Sequence, residues 1–138
     1  MKHLKAITIS VGDELLSGKT LDSNNAFISK ELDLIGIPVI KKMIIGDVAQ
    51  DIMDSLDWAF AQADVVTLTG GLGPTHDDIT KSVLCDYFHV GLKLYPDLLE
   101  NLKDRFARRG FKFSESNASQ TEYPENAALL ENPFGTAQ

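Results

Sequence analysis

Val65-Val66-Thr67-Leu68-Thr69-Gly70-Gly71-Leu72-Gly73-Pro74-Thr75-His76-Asp77-Asp78-Ile79-Thr80 is the stretch on which the fold turns. A short β-branched run empties through glycines into a helix-like pattern that continues through Val83 and Tyr87. Without Cβ atoms, Gly70, Gly71 and Gly73 permit positive φ and close approach of a ligand to the backbone. The free N–H groups and positive dipole end of the following helix favour an anion such as phosphate. Asp77 and Asp78 stand at the same mouth. Carboxylates beside an anion site repel the anion unless a cation bridges them or they carry protons in a reaction.

Outward from this segment the same alternation repeats. Ala6 to Val11 reads as a first strand broken by Gly12, and Asn24 to Ile35 as a helix with Ile28, Leu32 and Ile35 on one stripe, stopped by Gly36. Pro38 to Ile45 reads as a second strand. Asp47 then opens a helix with Ile52, Leu56, Ala59 and Ala63 on one face, and Asp47 and Gln50 have capping-box spacing. Val65 to Thr69 is the third strand. Pro96 begins a fourth helix through Leu98, Leu99, Leu102 and Phe106, ended by Gly110. Residues 111–128 show no clear period beyond a short helix.

Strand–helix repetition implies right-handed crossovers and a mainly parallel sheet covered by helices, an α/β fold of three layers. Ligands on such sheets bind at the carboxyl ends of strands. Both glycine-bearing loops, 12–18 and 70–75, leave such ends and are expected to converge on one crevice. Three strands are few for a sheet, so the chain reads as one domain cut from a longer protein at its carboxyl end.

Bulk properties narrow the function. The 138 residues suit one domain, and 13 basic against 20 acidic residues give a net charge of −7. That balance argues against a nucleic-acid partner. No apolar run approaches the ~20 residues of a membrane span, and the first residues lack a signal-peptide core. The single cysteine, Cys85, sits in a helical pattern and reads as a small buried hydrophobe, which makes a reducing cytoplasm the expected compartment.

Candidate chemistry gathers at the loops. Gly12-Asp13-Glu14-Leu15-Leu16-Ser17-Gly18-Lys19-Thr20 has one residue too many, and two acids, for a Walker A loop. Ser17, Gly18 and Thr20 remain candidate donors to a phosphate or sugar. Among Asp22-Ser23-Asn24-Asn25 one residue caps the helix and another is available to a ligand. Asp47 follows the second strand, either as an N-cap or as a third carboxylate at the sheet edge. One of Asp77 and Asp78 is expected to cap the next helix. Asp78 is the choice for metal or catalytic work, with Thr80 a phosphate donor or a surface threonine. Lys81 is expected to neutralise phosphate or to be solvated, and His76 to be incidental. Magnesium takes one or two carboxylates with phosphate oxygens and water, so Asp78 and Asp47 suffice without a closed cage. There is no zinc spacing and no serine-hydrolase elbow.

With these residues in view, the chain resembles the amino-terminal domain of the CinA family (competence/damage-inducible proteins), within the molybdopterin-binding fold of the MogA and MoaB proteins. The matching blocks are Gly12-Asp13-Glu14-Leu15-Leu16-Ser17-Gly18-Lys19-Thr20-Leu21-Asp22 with Asn24, then Gly46-Asp47, then Thr69-Gly70-Gly71-Leu72-Gly73-Pro74-Thr75 with Asp77-Asp78-Ile79-Thr80. Gln120, Pro124, Asn132, Pro133, Gly135, Thr136 and Ala137 fit the later pattern, whereas Ser119, Thr121 and Gln138 depart from it.

The resemblance implies a three-layer α/β domain, a phosphorylated ligand (ADP-ribose, AMP or molybdopterin) and a homo-oligomer. In the molybdopterin branch, the positions of Asp47 and Asp78 are associated with adenylylation of the pterin. In CinA-like proteins, the domain is associated with metal-dependent hydrolysis of ADP-ribose to AMP and ribose 5-phosphate. The implied site comprises Asp78 and Asp47 as catalytic and metal-binding residues. Gly12, Ser17, Gly18, Thr20, Asn24, Gly70, Gly71, Gly73, Pro74, Thr75 and Thr80 contact the ligand. A carboxyl-terminal deamidase domain of longer relatives is not present in this sequence. A domain that binds nucleotide only for assembly is the non-enzymatic alternative.

Overall fold

The structure is a computed structural model and describes residues 3–130 and 132. Pro133, Gly135, Thr136, Ala137 and Gln138, named above for their family pattern, lie outside the described residues. The chain divides into two compact units, Met1–Gly71 and Leu72–Gln138.

The first unit is built on a three-stranded parallel sheet: β1 (Ala6–Val11), β2 (Val39–Ile45) and β3 (Val65–Thr69), in the order β2-β1-β3. The strands and their parallel pairing are as the sequence predicts. β1 lies in the middle, and none of its residues is more than 1% exposed. Its connections are α1 (Asp13–Leu16) and α2 (Ser23–Leu34) towards β2, then α3 (Ala49–Gln62) back past β1 to β3. Reversal of direction across β1, with right-handed crossovers, sends α2 and α3 to opposite faces. Ile52, Leu56 and Ala59 of α3 are buried as expected from their spacing.

The other face is unusual in being polar. Thr8 and Ser10 of β1 are fully buried beneath α2. Thr8 Oγ1 donates to Asn25 Oδ1 at 2.8 Å, and Asn25 Nδ2 donates to Ser10 Oγ at 3.1 Å. Ser29 Oγ, one helical turn on, donates to the Asn25 main-chain oxygen at 2.7 Å. A buried amide needs such partners, since each group left unmet costs about 1–3 kcal/mol. Asp22 caps α2 by accepting from Asn25 N–H at 3.0 Å. The expected stripe is only partly realised: Ile28 and Leu32 are half-buried, but Ile35 lies past the helix end and is exposed.

Two helix starts differ from expectation. α3 begins at Ala49 behind Val48, with no side-chain cap. Asp47 instead accepts from Asp13 N–H at 3.1 Å, and Gln50 donates to Asp54 at 2.7 Å, so the Asp47–Gln50 capping box does not form. The carboxylate is better used on the turn after β1, where α1 exposes unpaired amides. α1 itself is too short for a periodic signal.

The second unit contains α4 (Thr80–Phe88), β4 (Leu92–Leu94), α5 (Pro96–Arg108), α6 (Glu115–Ala118), a 3-10 turn Ser119–Thr121 and β5 (Glu122–Pro124). β4 and β5 pair antiparallel, with Lys93 opposite Tyr123. These three-residue strands lack a legible alternation and were not expected. α5 starts on Pro96 and closes beyond Arg108, where Gly110 adopts φ +72° and Phe111 N–H returns to Phe106 O at 3.0 Å. α4 also starts without a side-chain cap, behind Ile79. Neither Asp77 nor Asp78 fills the capping role, because Asp78 is engaged by Thr75.

Gly70 sets the tightest packing constraint. It has φ +93°, and a Cβ there would lie 2.0 Å from the Val11 carbonyl oxygen. Gly36 has a similar φ of +78° but open space around it. Gly70→Ala is therefore expected to destabilise by about 3 kcal/mol or more, and Gly36→Ala by about 1 kcal/mol, because only the former adds overpacking to the left-handed backbone cost. Urea unfolding of the two variants measures the difference.

Candidate functional site

In the first unit, the ends of β1 and β3 meet at the point where the chain reverses its direction across the sheet. Gly70 lies against the Val11 carbonyl, and Thr69 Oγ1 is 3.4 Å from Ser10 Oγ. Gly71 follows with φ +61°. This is where an open α/β sheet has its ligand crevice.

The loop after β1 is more closed than the sequence suggests. Gly12 is buried, its N–H donates to Ile45 O at 2.9 Å, and its carbonyl accepts from Leu15 and Leu16. The N–H groups of Ser17, Gly18 and Thr20 donate to Asp13 O, Leu15 O and Glu14 O, and Ser17 Oγ also donates to Glu14 O at 3.2 Å. The main-chain donors of this segment thus tie its own turn. What it presents to solvent includes the side chains of Thr20 and Asn24, both exposed. Of the two adjacent asparagines, Asn25 is the structural one. The signal that finds it is Ser29 four residues later, together with Thr8 and Ser10 on one face of β1.

Asp47 is half-buried beyond the end of β2, held by Asp13 N–H. Gly46 is buried beside it, and a Cβ there would sit 2.7 Å from Asp13 Oδ1. Asp47, Asp13 and Glu14 make this edge of the sheet acidic.

In the second unit, the loop from Gly73 wraps around Asp78. Thr75 N–H donates to Asp78 Oδ2 at 2.9 Å, and Thr75 Oγ1 donates to the same oxygen. The Gly73 main chain lies close enough to this carboxyl to help lower its pKa. A Cβ on Gly73 would lie 2.6 Å from Asp78 Oδ2, so the carboxylate occupies the space that glycine leaves. Burial pushes the Asp78 pKa up, but the Thr75 hydroxyl, the Thr75 and Gly73 main chain and the Lys81 charge outweigh it and hold the carboxyl below its ordinary 3.8. Pro74, Thr75, His76 and Asp77 are exposed.

For Thr80 and Lys81 the structure removes one of the two alternatives, the exposed one. Thr80 is 1% exposed, not a surface threonine. Lys81 is buried rather than solvated. Its Nζ donates to the main-chain oxygens of Ser119 and Glu122 and lies 5.1 Å from the Tyr123 ring centroid. Burial lowers its pKa, partly offset by Glu122 and Asp78. It fastens the 3-10 turn to α4, a role with no trace in the local sequence because the partners are carbonyls some forty positions away. Cys85 is buried as expected, and burial pushes its thiol up.

Among the described residues, no group of three or more His, Cys, Asp or Glu side chains is placed to hold a metal ion. A magnesium ion that takes most of its ligands from water and phosphate does not need one. An ionised carboxylate such as Asp78 is chemically suited to that kind of cation.

A family model described as "Probable molybdopterin binding domain" matches residues 7–138. A CinA-like protein of Chloroherpeton thalassium is 45% identical over 129 residues, covering 94% of this chain and 31% of the relative. The chain spans about a third of the length of the curated relatives it matches. Among solved structures, the protein CinA of unknown function from Thermoplasma acidophilum superposes with a TM-score of 0.83 at 30% identity, covering 96% of this chain and 78% of that one. The tungsten cofactor synthesizing protein MoaB from Pyrococcus furiosus gives a TM-score of 0.62 at 21% identity, over 90% of this chain and 80% of that one, a likeness of fold alone. The strand order around Gly70, the glycine loop and these matches agree: the chain belongs to the molybdopterin-binding domain family, as a CinA-type amino-terminal domain of MoaB/MogA-like fold.

Proposed function

We propose that this domain binds a phosphorylated nucleotide and, with a divalent cation, hydrolyses ADP-ribose to AMP and ribose 5-phosphate. The observation that carries the reading is Asp78, a carboxylate kept ionised by the loop that the family resemblance assigns to phosphate. A bound magnesium ion would neutralise diphosphate charge and lower the pKa of a coordinated water. Asp78 is the residue that would hold it. Asp47, in the first unit, is kept as a separate candidate carboxylate. Gly73 and Thr75 supply N–H and hydroxyl donors for a phosphate, and the positive end of α4 favours the charge that develops there. In the reaction, a water oxygen bonds to one phosphorus of the diphosphate. The water gives up a proton to solvent, the bridging P–O bond breaks with its electron pair going to the departing phosphate oxygen, and AMP and ribose 5-phosphate form together. The family match also favours a second reading, in which the ligand is molybdopterin and the same residues serve pterin binding or adenylyl transfer.

Incubation with ADP-ribose and magnesium, with AMP read by chromatography, separates the two. The hydrolase reading expects AMP from the wild type and a loss of at least ~100-fold in Asp78→Asn, with an unchanged circular dichroism spectrum. A pterin module binds molybdopterin and yields no AMP. AMP at about 100 times its Kd should add roughly 2.7 kcal/mol of stability.

The pH dependence has a definite sign. Because the folded-state pKa of Asp78 is lowered, its contribution to stability is fully present above 3.8 and is lost as pH falls through the lower native value. The stability difference between wild type and Asp78→Asn, measured by urea unfolding, should therefore be constant at neutral pH and shrink only below 3.8.

A further inference from the structure

The donors assigned to phosphate in the loop before α4 are already in use. Thr75 N–H and Thr75 Oγ1 both donate to one acceptor, the carboxylate of Asp78, which packs against Gly73. That carboxylate fills the volume above Gly73 that any side chain would block. A carboxylate oxygen and a phosphate oxygen make the same demands: negative charge, short charge-assisted bonds and N–H or O–H donors. The loop cannot give these donors to both at once. Asp78 cannot keep them while it serves as a cation ligand beside a phosphate.

We propose that Asp78 is an internal stand-in for the ligand's phosphate, and that ligand binding is an exchange in which a phosphate takes the Thr75 donors and releases the Asp78 carboxylate to a divalent cation. The inference rests on the reading of this loop as a phosphate cradle and adds an order to it. Before exchange, the loop is held shut on its own anion, which costs the ligand affinity. After exchange, the freed carboxylate faces the phosphate that displaced it, an arrangement that is favourable only with a cation between them. Phosphate and cation therefore bind with positive coupling, each raising the affinity for the other by the same factor.

The test uses inorganic phosphate as the probe, titrated calorimetrically without metal at fixed ionic strength. Asp78→Ala vacates the cradle and should bind phosphate ~10-fold or more tightly than the wild type. Asp78→Asn, which keeps an acceptor oxygen but no charge, should gain less. Asp77→Ala removes an adjacent exposed charge without touching the donors, and should gain little. Adding Thr75→Val to Asp78→Ala should remove the gain, because it deletes one of the donors. Unchanged or weaker phosphate binding in Asp78→Ala overturns the exchange. So does an equal gain in Asp77→Ala, which would reduce the effect to general charge repulsion, or a gain that survives Thr75→Val. These titrations need no turnover. The phosphate pattern without AMP formation leaves the exchange standing and removes the hydrolase; AMP formation without the pattern does the reverse.

Discussion

Gly70 against the carbonyl of Val11 is the contact on which the first unit depends. With β1 central and the chain crossing it from β2 to β3, the ends of β1 and β3 must lie side by side. At that point the backbone of β3 has to turn away within a van der Waals distance of the neighbouring strand. Only a residue without Cβ fits, and only a residue tolerant of φ +93° makes the turn. The same glycine leaves the main chain without a side chain at the carboxyl edge of the sheet, where open α/β sheets bind ligands. Packing and ligand approach thus ask for the same residue.

Charge is handled differently in the two units. In the first, the buried polar layer of Thr8, Ser10, Asn25 and Ser29 replaces part of an apolar core, and its hydrogen bonds fix how α2 sits on β1. Misplacing α2 would strand several buried groups, so the layer favours one arrangement over near alternatives. In the second unit, Lys81 is a buried cation satisfied by two carbonyls, and Asp78 is an anion satisfied by donors of its own loop. Each neutralises a need of the main chain. Asp78 is the one that belongs to a loop with exposed residues.

The strands, the parallel sheet and most helices were legible in the sequence because each carries a periodic apolar signal: Ala6 to Val11, Val65 to Thr69, and Ile52, Leu56 and Ala59. β4 and β5 were not legible, since three residues cannot establish an alternation and their pairing spans some thirty positions. The caps failed for a different reason. Asp47, Asp77 and Asp78 all have capping chemistry, but an aspartate at a helix entrance has other amides in reach, and Asp13 N–H and Thr75 N–H claimed two of them. Asn24 and Asn25 are indistinguishable by local propensity; the choice of Asn25 as the buried one is made by the hydroxyls of β1. Lys81 shows the same limit, because its partners are main-chain oxygens to which side-chain identity gives no clue. For the candidate site, residue types and spacing pointed to the glycine loop and Asp78 but not to which donors were already committed.

The Gly73–Asp78 loop is proposed as the place where a phosphate enters. Backbone amide resonances followed by NMR during titration with AMP and magnesium test it directly. The Gly73 and Thr75 amides should move most and saturate together with the thermal stabilisation of the protein. Stabilisation by AMP with those two amides unmoved would contradict it and place the nucleotide elsewhere.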